Sequence, residues 1–282
     1  MFLSDELLHR AYSLYSEKEY DQAKSVMNFF IRQVGELRCH DYLTFGTLRI
    51  CEGCKPEEYN IRTPLSWEIL EKQGNRLLLI SEFCIDWNLY DGSGSFLGPA
   101  ADTTWENSTI RKDLNGDFIE NTFSKFEQMI IAETEVRTKP NPICGNNPGN
   151  DTKDRLFLLS ADEVVKYFTE KYGNPLSDYR TDCIMCDITD LRQQYHDLGN
   201  FSAKADILMA DVFDEKINIG RYAYQWWLRT PGSEQKKVCV VTPDGRIDFG
   251  GVSSSADEIG VRPAMWIDLD VIKNLIFNNT EE

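Results

Sequence analysis

Between residues 4 and 34 the apolar positions Leu7, Leu8, Ala11, Leu14, Tyr20, Ala23, Met27 and Phe30 recur at three- and four-residue intervals, a spacing that predicts two amphipathic helices. Ser4 suits the first helix as an N-cap, with Asp5 and Glu6 at its positive end, while Asp21 and Gly35 bracket the second. From Tyr42 the pattern shifts to strands: Tyr42 to Ile50, Ser66 to Leu70 and Arg76 to Ser81, the last two joined by a Gly74-Asn75 turn as a hairpin. A glycine-rich connection over 91–95 leads to a helical stretch with Trp105, Ile110, Leu114, Phe118, Phe123 and Phe126 on its apolar face. Asp154 to Ser160 reads as a buried strand, and Ser160 with Glu163 forms a capping box for the helix that follows. Residues 169–220 are polar and irregular and read as an insertion. Four late strands follow, Gln225 to Thr230, Lys237 to Thr242, Arg246 to Val252 and Val261 to Ile267, with Asp244-Gly245 as a hairpin turn. Side chains alternate faces along a strand, so one of Trp226 and Trp227 enters the core while the other is free to line the opposite surface. The expected organisation is a helical hairpin over 1–36, one α+β domain over 37–270 and a fraying tail over 271–282.

Composition narrows the class. A chain of 282 residues, 41% hydrophobic and 12% aromatic, has enough apolar mass for a sizeable core. Its net charge of −16 repels phosphate backbones and no basic cluster offsets it, which argues against nucleic-acid binding. The longest apolar runs, such as Leu77 to Ile80, fall far short of the roughly 20 residues a membrane helix needs. Met1-Phe2-Leu3 runs directly into Ser4-Asp5-Glu6 without the basic and apolar regions of a signal peptide, so the expectation is a cytoplasmic protein without membrane contact. Eight cysteines in a chain of this size then read as reduced thiols.

The N-terminal stretch resembles a single tetratricopeptide-type hairpin, with small Ala11 and Ala23 at the helix crossing and Tyr20-Asp21 opening the second helix; Arg10 and Phe30 depart from that pattern. One such unit cannot bury its own face, since these arrays need about three repeats. The hairpin must therefore dock on the main domain, on a partner, or on a second copy of the chain.

A further set of segments occurs in order along the chain. It comprises Trp67-Glu68-Ile69-Leu70 before Leu77-Leu78-Leu79, Thr104-Trp105 with Ser108, Ile110-Arg111 and Leu114-Asn115, Leu156 to Ser160 with Glu163, Trp226 to Gly232, and Gly260 to Ala264. Over residues 42 to 268 these resemble an uncharacterised bacterial domain family. That family is in turn similar to the prokaryotic C-type-lectin-like fold of formylglycine-generating enzymes. The resemblance implies short antiparallel strands with two or more helices, closed by the Gly-x-Arg element around Arg262, and makes Trp67, Trp105, Trp226, Arg262 and Pro263 a structural signature.

Candidate chemistry is sparse. Cys51, Cys54, Cys183 and Cys186 form two Cys-x-x-Cys pairs able to hold a tetrahedral zinc, against the alternative of buried thiols, and no other cofactor is implied. The paired cysteines of formylglycine-generating enzymes have no counterpart near Cys239, which reads as a core thiol. The calcium motifs of sugar-binding lectins are missing too: Lys139-Pro140-Asn141 lacks the carboxylate, and Asp113 to Asp117 lacks an acidic twelfth position, where Ser124 stands. His9, His40 and His196 neighbour no Ser or Cys nucleophile, and no Gly-x-Ser-x-Gly occurs. Arg229 and Arg262 suit a clamp on buried carboxylates, whereas Trp and Arg also serve as binding anchors. The candidate contact residues are Tyr222, Tyr224, Trp227, Arg229, Ser253, Ser254 and Asp257, from tyrosine- and serine-bearing late loops of the kind binding surfaces use. The leading expectation is a non-catalytic recognition module for a protein partner or small ligand. The alternatives are an enzyme with a pocket near the Trp226 strand and an intracellular scaffold.

Overall fold

The alternation that opens at Tyr42 becomes strand β1 (Tyr42–Ile50) in a computed structural model, which describes residues 4–50, 61–92, 103–172, 186–187, 223–242, 247–257 and 259–278. β1 pairs with β2 (Ile61–Gln73), and β2 turns through Gly74 into β3 (Arg76–Ser81). A five-stranded antiparallel sheet grows from this meander in the order β1, β2, β3, β14, β7, with β7 at Leu156–Leu158 and β14 at Pro263–Asp268. The second sheet has the order β12, β11, β10, β13, β4: β4 (Asp86–Trp87), β10 (Trp226–Pro231), β11 (Lys237–Val241), β12 (Ile247–Ser253) and β13 (Gly260–Val261). Among the described residues its one parallel contact joins β10 to β13 at Trp226 and Gly260. Two small pairs complete the described strands, β5 (Thr134–Val136) with β6 (Thr152–Asp154) and β8 (Cys186–Asp187) with β9 (Ala223–Tyr224). The molecule is thus a mixed α+β protein with a helical N-terminus.

The last long strand differs from the uninterrupted one that the sequence predicts over Val261 to Ile267. It breaks at Arg262, where the chain crosses from the second sheet (β13) to the first (β14). At this crossing Gly260 admits no side chain, since a Cβ there would stand 2.4 Å from the Cys84 sulfur. Pro263 begins the new strand, where a missing N–H is tolerated. The Arg262 side chain, 2% exposed, donates from Nε to Ser81 O (2.7 Å), faces Glu68 (3.6 Å) and lies against the Trp226 and Phe168 rings. The signature therefore marks the joint between the two sheets.

The helical region after Thr103 is held by polar side chains on backbone. Trp105 Nε1 (2.9 Å), Arg111 Nε (2.7 Å) and Thr152 Oγ1 (2.5 Å) all donate to the buried Asp154 carboxylate. Asn115 reaches from a wide π-type turn (Leu114–Phe118) to donate to Leu156 O and accept from the Arg155 and Leu156 amides. This fixes α3 (Thr109–Asp113) and the turn after it against the strand pair that leads into β7; α4 (Ile119–Thr122), packed on β1, and α5 (Lys125–Ile130) follow. Ser124 and Glu127 make a capping box on α5, and the second Glu127 oxygen accepts from the Gly46 amide at 3.0 Å. Gly46 sits at φ +73° in a bulge of β1, and a Cβ would lie 2.5 Å from the Phe123 ring.

The hairpin, α1 (Ser4–Ser16) and α2 (Tyr20–Glu36), docks on the main domain. Tyr12 stacks on Phe126 at 4.5 Å, and His9 faces the Glu127 carboxylate at 3.5 Å. Lys72 donates to the carbonyls of Val34, Gly35 and Leu37, a cation on the negative end of α2. Its remaining neighbour corrects the sequence expectation: part of the tail forms helix α7 (Leu269–Asn278), which packs against α2 and α5. Leu269 and Ile272, three residues apart on one face, are buried there, so the segment has a stripe to bury rather than a frayed end. Within 169–220, α6 (Ala161–Tyr172) extends to Tyr172, and only Cys186–Asp187 of the rest falls among the described residues. Among the described residues no helix is long and apolar enough to cross a membrane.

Candidate functional site

A cleft of about 780 Å³ opens where α6 begins, within the size range of small-ligand sites. Three segments wall it: the 137–143 loop with Arg137, Lys139, Pro142 and Ile143; the first turns of α6 with Ser160, Ala161, Asp162, Glu163, Val165 and Lys166; and the late strands with Arg229 and Phe249.

Its floor is built by capping. Ser160 and Glu163 exchange side-chain and backbone hydrogen bonds (2.9 and 3.2 Å), and the Ala161 amide donates to Thr230 Oγ1 (2.9 Å), tying the helix start to β10. Arg229 reaches across this joint. Its Nη1 and Nη2 donate to the two Glu163 oxygens at 2.5 and 2.8 Å, a bidentate pair, and also to Leu158 O and Arg137 O. The guanidinium stands over Phe157 and is almost wholly buried, so the cleft floor is rigid. One donor, Nε of Arg229, is buried without a hydrogen-bond partner.

The rim is looser. Lys139 meets Asp162 at 2.8 Å across the mouth, with both side chains largely in solvent. Lys166 donates to Glu71 at 2.7 Å and Tyr167 adds a second bond to the same oxygen at 2.6 Å. Burial pushes the Glu71 carboxyl up, but the bonds from Lys166, Tyr167 and Gln73 outweigh it and hold the group at about 2. Burial and the same carboxylate push the Tyr167 phenol up to about 12. Ile143 stands 74% exposed at the lip, held up by Asn141, whose buried amide donates to Pro231 O (2.8 Å) and Phe249 O (2.9 Å).

The chemistry open to this cleft is ionic and apolar contact. Its two carboxylates, Asp162 and Glu163, each already hold a cation. Among the described residues no cluster of three metal-ligating groups occurs. Cys51, Cys54 and Cys183 lie outside the described residues, and Cys186 is placed only by its backbone in β8.

Residues 74–269, from the β2–β3 turn through both sheets to the start of α7, match the model of a family described as a domain of unknown function, DUF6273. The chain belongs to the DUF6273 family. No curated protein and no solved structure matches it. The matched span contains the whole cleft and both of the most specific sequence segments, Trp226 to Gly232 and Gly260 to Ala264; the hairpin, β1 and all of β2 precede it.

Of the seven candidate contact residues, those whose side chains are described do not share one surface in the DUF6273 domain. Arg229 alone among these described ones lines the cleft. Trp227 is fully buried, as is Trp226, because both faces of β10 are covered; its Nε1 donates to Asn88 O (2.8 Å) and its ring packs on Tyr90. The surface position expected of one tryptophan therefore does not exist. Ser254 is also fully buried, with its hydroxyl 3.3 Å from Thr103 Oγ1, while Ser253 and Asp257 are exposed beside it. Tyr222 lies outside the described residues, and Tyr224 is placed only as part of β9.

Cys239 is a core thiol that donates to Pro231 O (3.2 Å), and burial, with Asp248 and Cys144 nearby, pushes it up to about 12. Of the other signature residues, Trp67 Nε1 donates to Phe45 O at 2.6 Å and Pro263 pairs with Leu158. The rim residues Arg137, Lys139, Asp162, Ile143 and Lys166 escape sequence reasoning because none belongs to a motif. The signs of the site in the sequence are the capping box at Ser160 and Glu163 and the candidate Arg229.

Proposed function

We propose that this DUF6273 protein is a non-catalytic recognition module of C-type-lectin-like build, cytoplasmic, which takes a small ligand or a segment of a protein partner in the cleft at the start of α6. The observation that carries this reading is the cleft's composition. A rigid, internally neutralised floor of Arg229 and Glu163 lies beneath an adaptable rim, where Lys139, Asp162 and Ile143 offer a cation, an anion and an apolar contact. The build is supported by the late hairpin of β10 to β12 and by the closing strand β14 seated between β3 and β7. Self-association through the hairpin is a second mode of partnering, suggested by the exposed Phe29 ring.

The enzyme reading keeps one point in its favour, the two carboxylates inside the cleft. A thermal-shift screen of amino acids, short peptides, monosaccharides, nucleotides and carboxylic acids separates the readings. Binding in the cleft predicts that the shift given by a hit disappears in Lys139→Ala and Ile143→Ser, whose side chains are too exposed to affect folding. A shift unchanged in both variants would place recognition elsewhere, and chemical conversion of the hit would make the protein an enzyme.

A further inference from the structure

Behind the cleft lip, two thiols far apart in sequence share one dipeptide. Cys239, on β11, donates from its sulfur to Pro231 O at 3.2 Å; Cys144, on the loop, donates to the next carbonyl, Gly232 O, at 3.4 Å. A third group links them. The Asn141 side chain lies 3.6 Å from the Cys239 sulfur through Nδ2, while its Oδ1 accepts from the Cys144 amide at 3.3 Å. Cys144 is exposed and Cys239 is wholly buried.

This arrangement separates two roles that thiol oxidation needs: a sulfur that oxidant can reach and a second, sheltered sulfur nearby to resolve the product. We propose that Cys144 is an oxidation site for peroxides and that Cys239 resolves it, closing a reversible disulfide between the cleft-lip loop and the core of the second sheet. In the first step Cys144–SH and a peroxide, ROOH, give Cys144–SOH and ROH. In the second the Cys239 sulfur attacks the Cys144 sulfur, Cys239 loses its proton, and water leaves. In sum two thiols are oxidised by two electrons and the peroxide is reduced to ROH and water.

Cys239 is anchored in β11, so the movement falls on the exposed turn around Gly145, whose φ of +73° marks it as the bend of the loop. Closure draws the loop inward and fixes Ile143, the neighbour of Cys144, at the lip. The elevated Cys239 thiol makes the second step slow at neutral pH and faster as pH rises, because the thiolate is the attacking species.

The test uses the full chain, treated with hydrogen peroxide, alkylated without reductant and digested with trypsin. The pair resides on the peptides 138–153 and 238–246. The expected result is a cross-link between these two peptides, reversed by dithiothreitol, absent from Cys144→Ser, at least about tenfold more abundant in native chain than in urea-unfolded chain, and accompanied by a rise of several degrees in unfolding temperature. Dimedone added with the peroxide should cap Cys144 and suppress the cross-link, the balance moving toward the cross-link as pH rises. This last measurement requires no substitution in the core. Recovery of both peptides unlinked, with Cys144 carried to sulfinic or sulfonic acid, would overturn the proposal, as would linkage of Cys144 to a different cysteine.

Discussion

Glu127 shows how a single buried carboxylate does several jobs at once. It caps α5 through the Ser124 amide (2.7 Å), satisfies the amide of Gly46 in the β1 bulge (3.0 Å) and faces His9 from the docked hairpin. Burial raises its carboxyl, yet the bonds from His9, Ser124 and Gly46 together hold it below the usual carboxylate range. A folded value below the unfolded one means that Glu127 contributes stability above the unfolded carboxylate value, roughly 4.3, and loses it as pH falls through the folded value. Glu127→Gln should therefore cost about 1 to 3 kcal/mol at neutral pH, the range for a hydrogen-bonded buried charge, and progressively less below about pH 4. Urea midpoints for the two proteins between pH 3 and 7 check this; parallel curves would mean that the ionised form has no special role.

At the scale of elements, the parts set by local pattern were legible and the parts set by packing were not. β1 follows the alternation at Tyr42 to Ile50, and β3 the continuous apolar run Leu77 to Ile80, which is buried on both faces. The capping boxes at Ser124 and Ser160 obey short-range rules, although the sequence reading used only the latter. The break at Arg262 was hidden, since Val261 to Ile267 reads as one strand and only the presence of two sheets divides it. The cleft was hidden for a similar reason: Lys139, Ile143 and Lys166 look like ordinary surface residues until the fold brings the loop to the helix. Helix α7 was hidden because a segment of only ten residues, apolar as it is, is a marginal helix without α2 and α5 to pack on. Its packing gives a direct check. Ile272→Ala should cost about 2 to 4 kcal/mol, as truncation of a buried Ile does, whereas in a frayed tail the change would be close to zero. Chemical denaturation of the full chain distinguishes these values.

For the molecule as a whole, the crossing at Arg262 means that neither sheet can form completely alone. β13 and β14 are separated by a single residue, and they pair with β10 and β4 in one sheet and with β3 and β7 in the other. The side chain at that residue reinforces the covalent link. Arg262 faces Glu68, which also accepts from His40 Nδ1 at 2.6 Å, so one buried carboxylate joins β2, the crossing and the segment that follows the hairpin. Such a pair adds little net stability against an apolar substitute of equal volume, but removing one partner leaves the other charge stranded. Arg262→Met keeps most of the volume between Trp226 and Phe168 and should cost about 3 to 5 kcal/mol. Glu68→Gln in the same chain should restore part of that loss, because it removes the stranded charge while still offering an acceptor to His40. If the two sheets are coupled through this joint, tryptophan fluorescence and far-UV circular dichroism will report one shared transition in wild type and in the double variant. Additive costs of the two substitutions would show that Arg262 acts by packing alone, and two separated transitions would show that the sheets unfold independently.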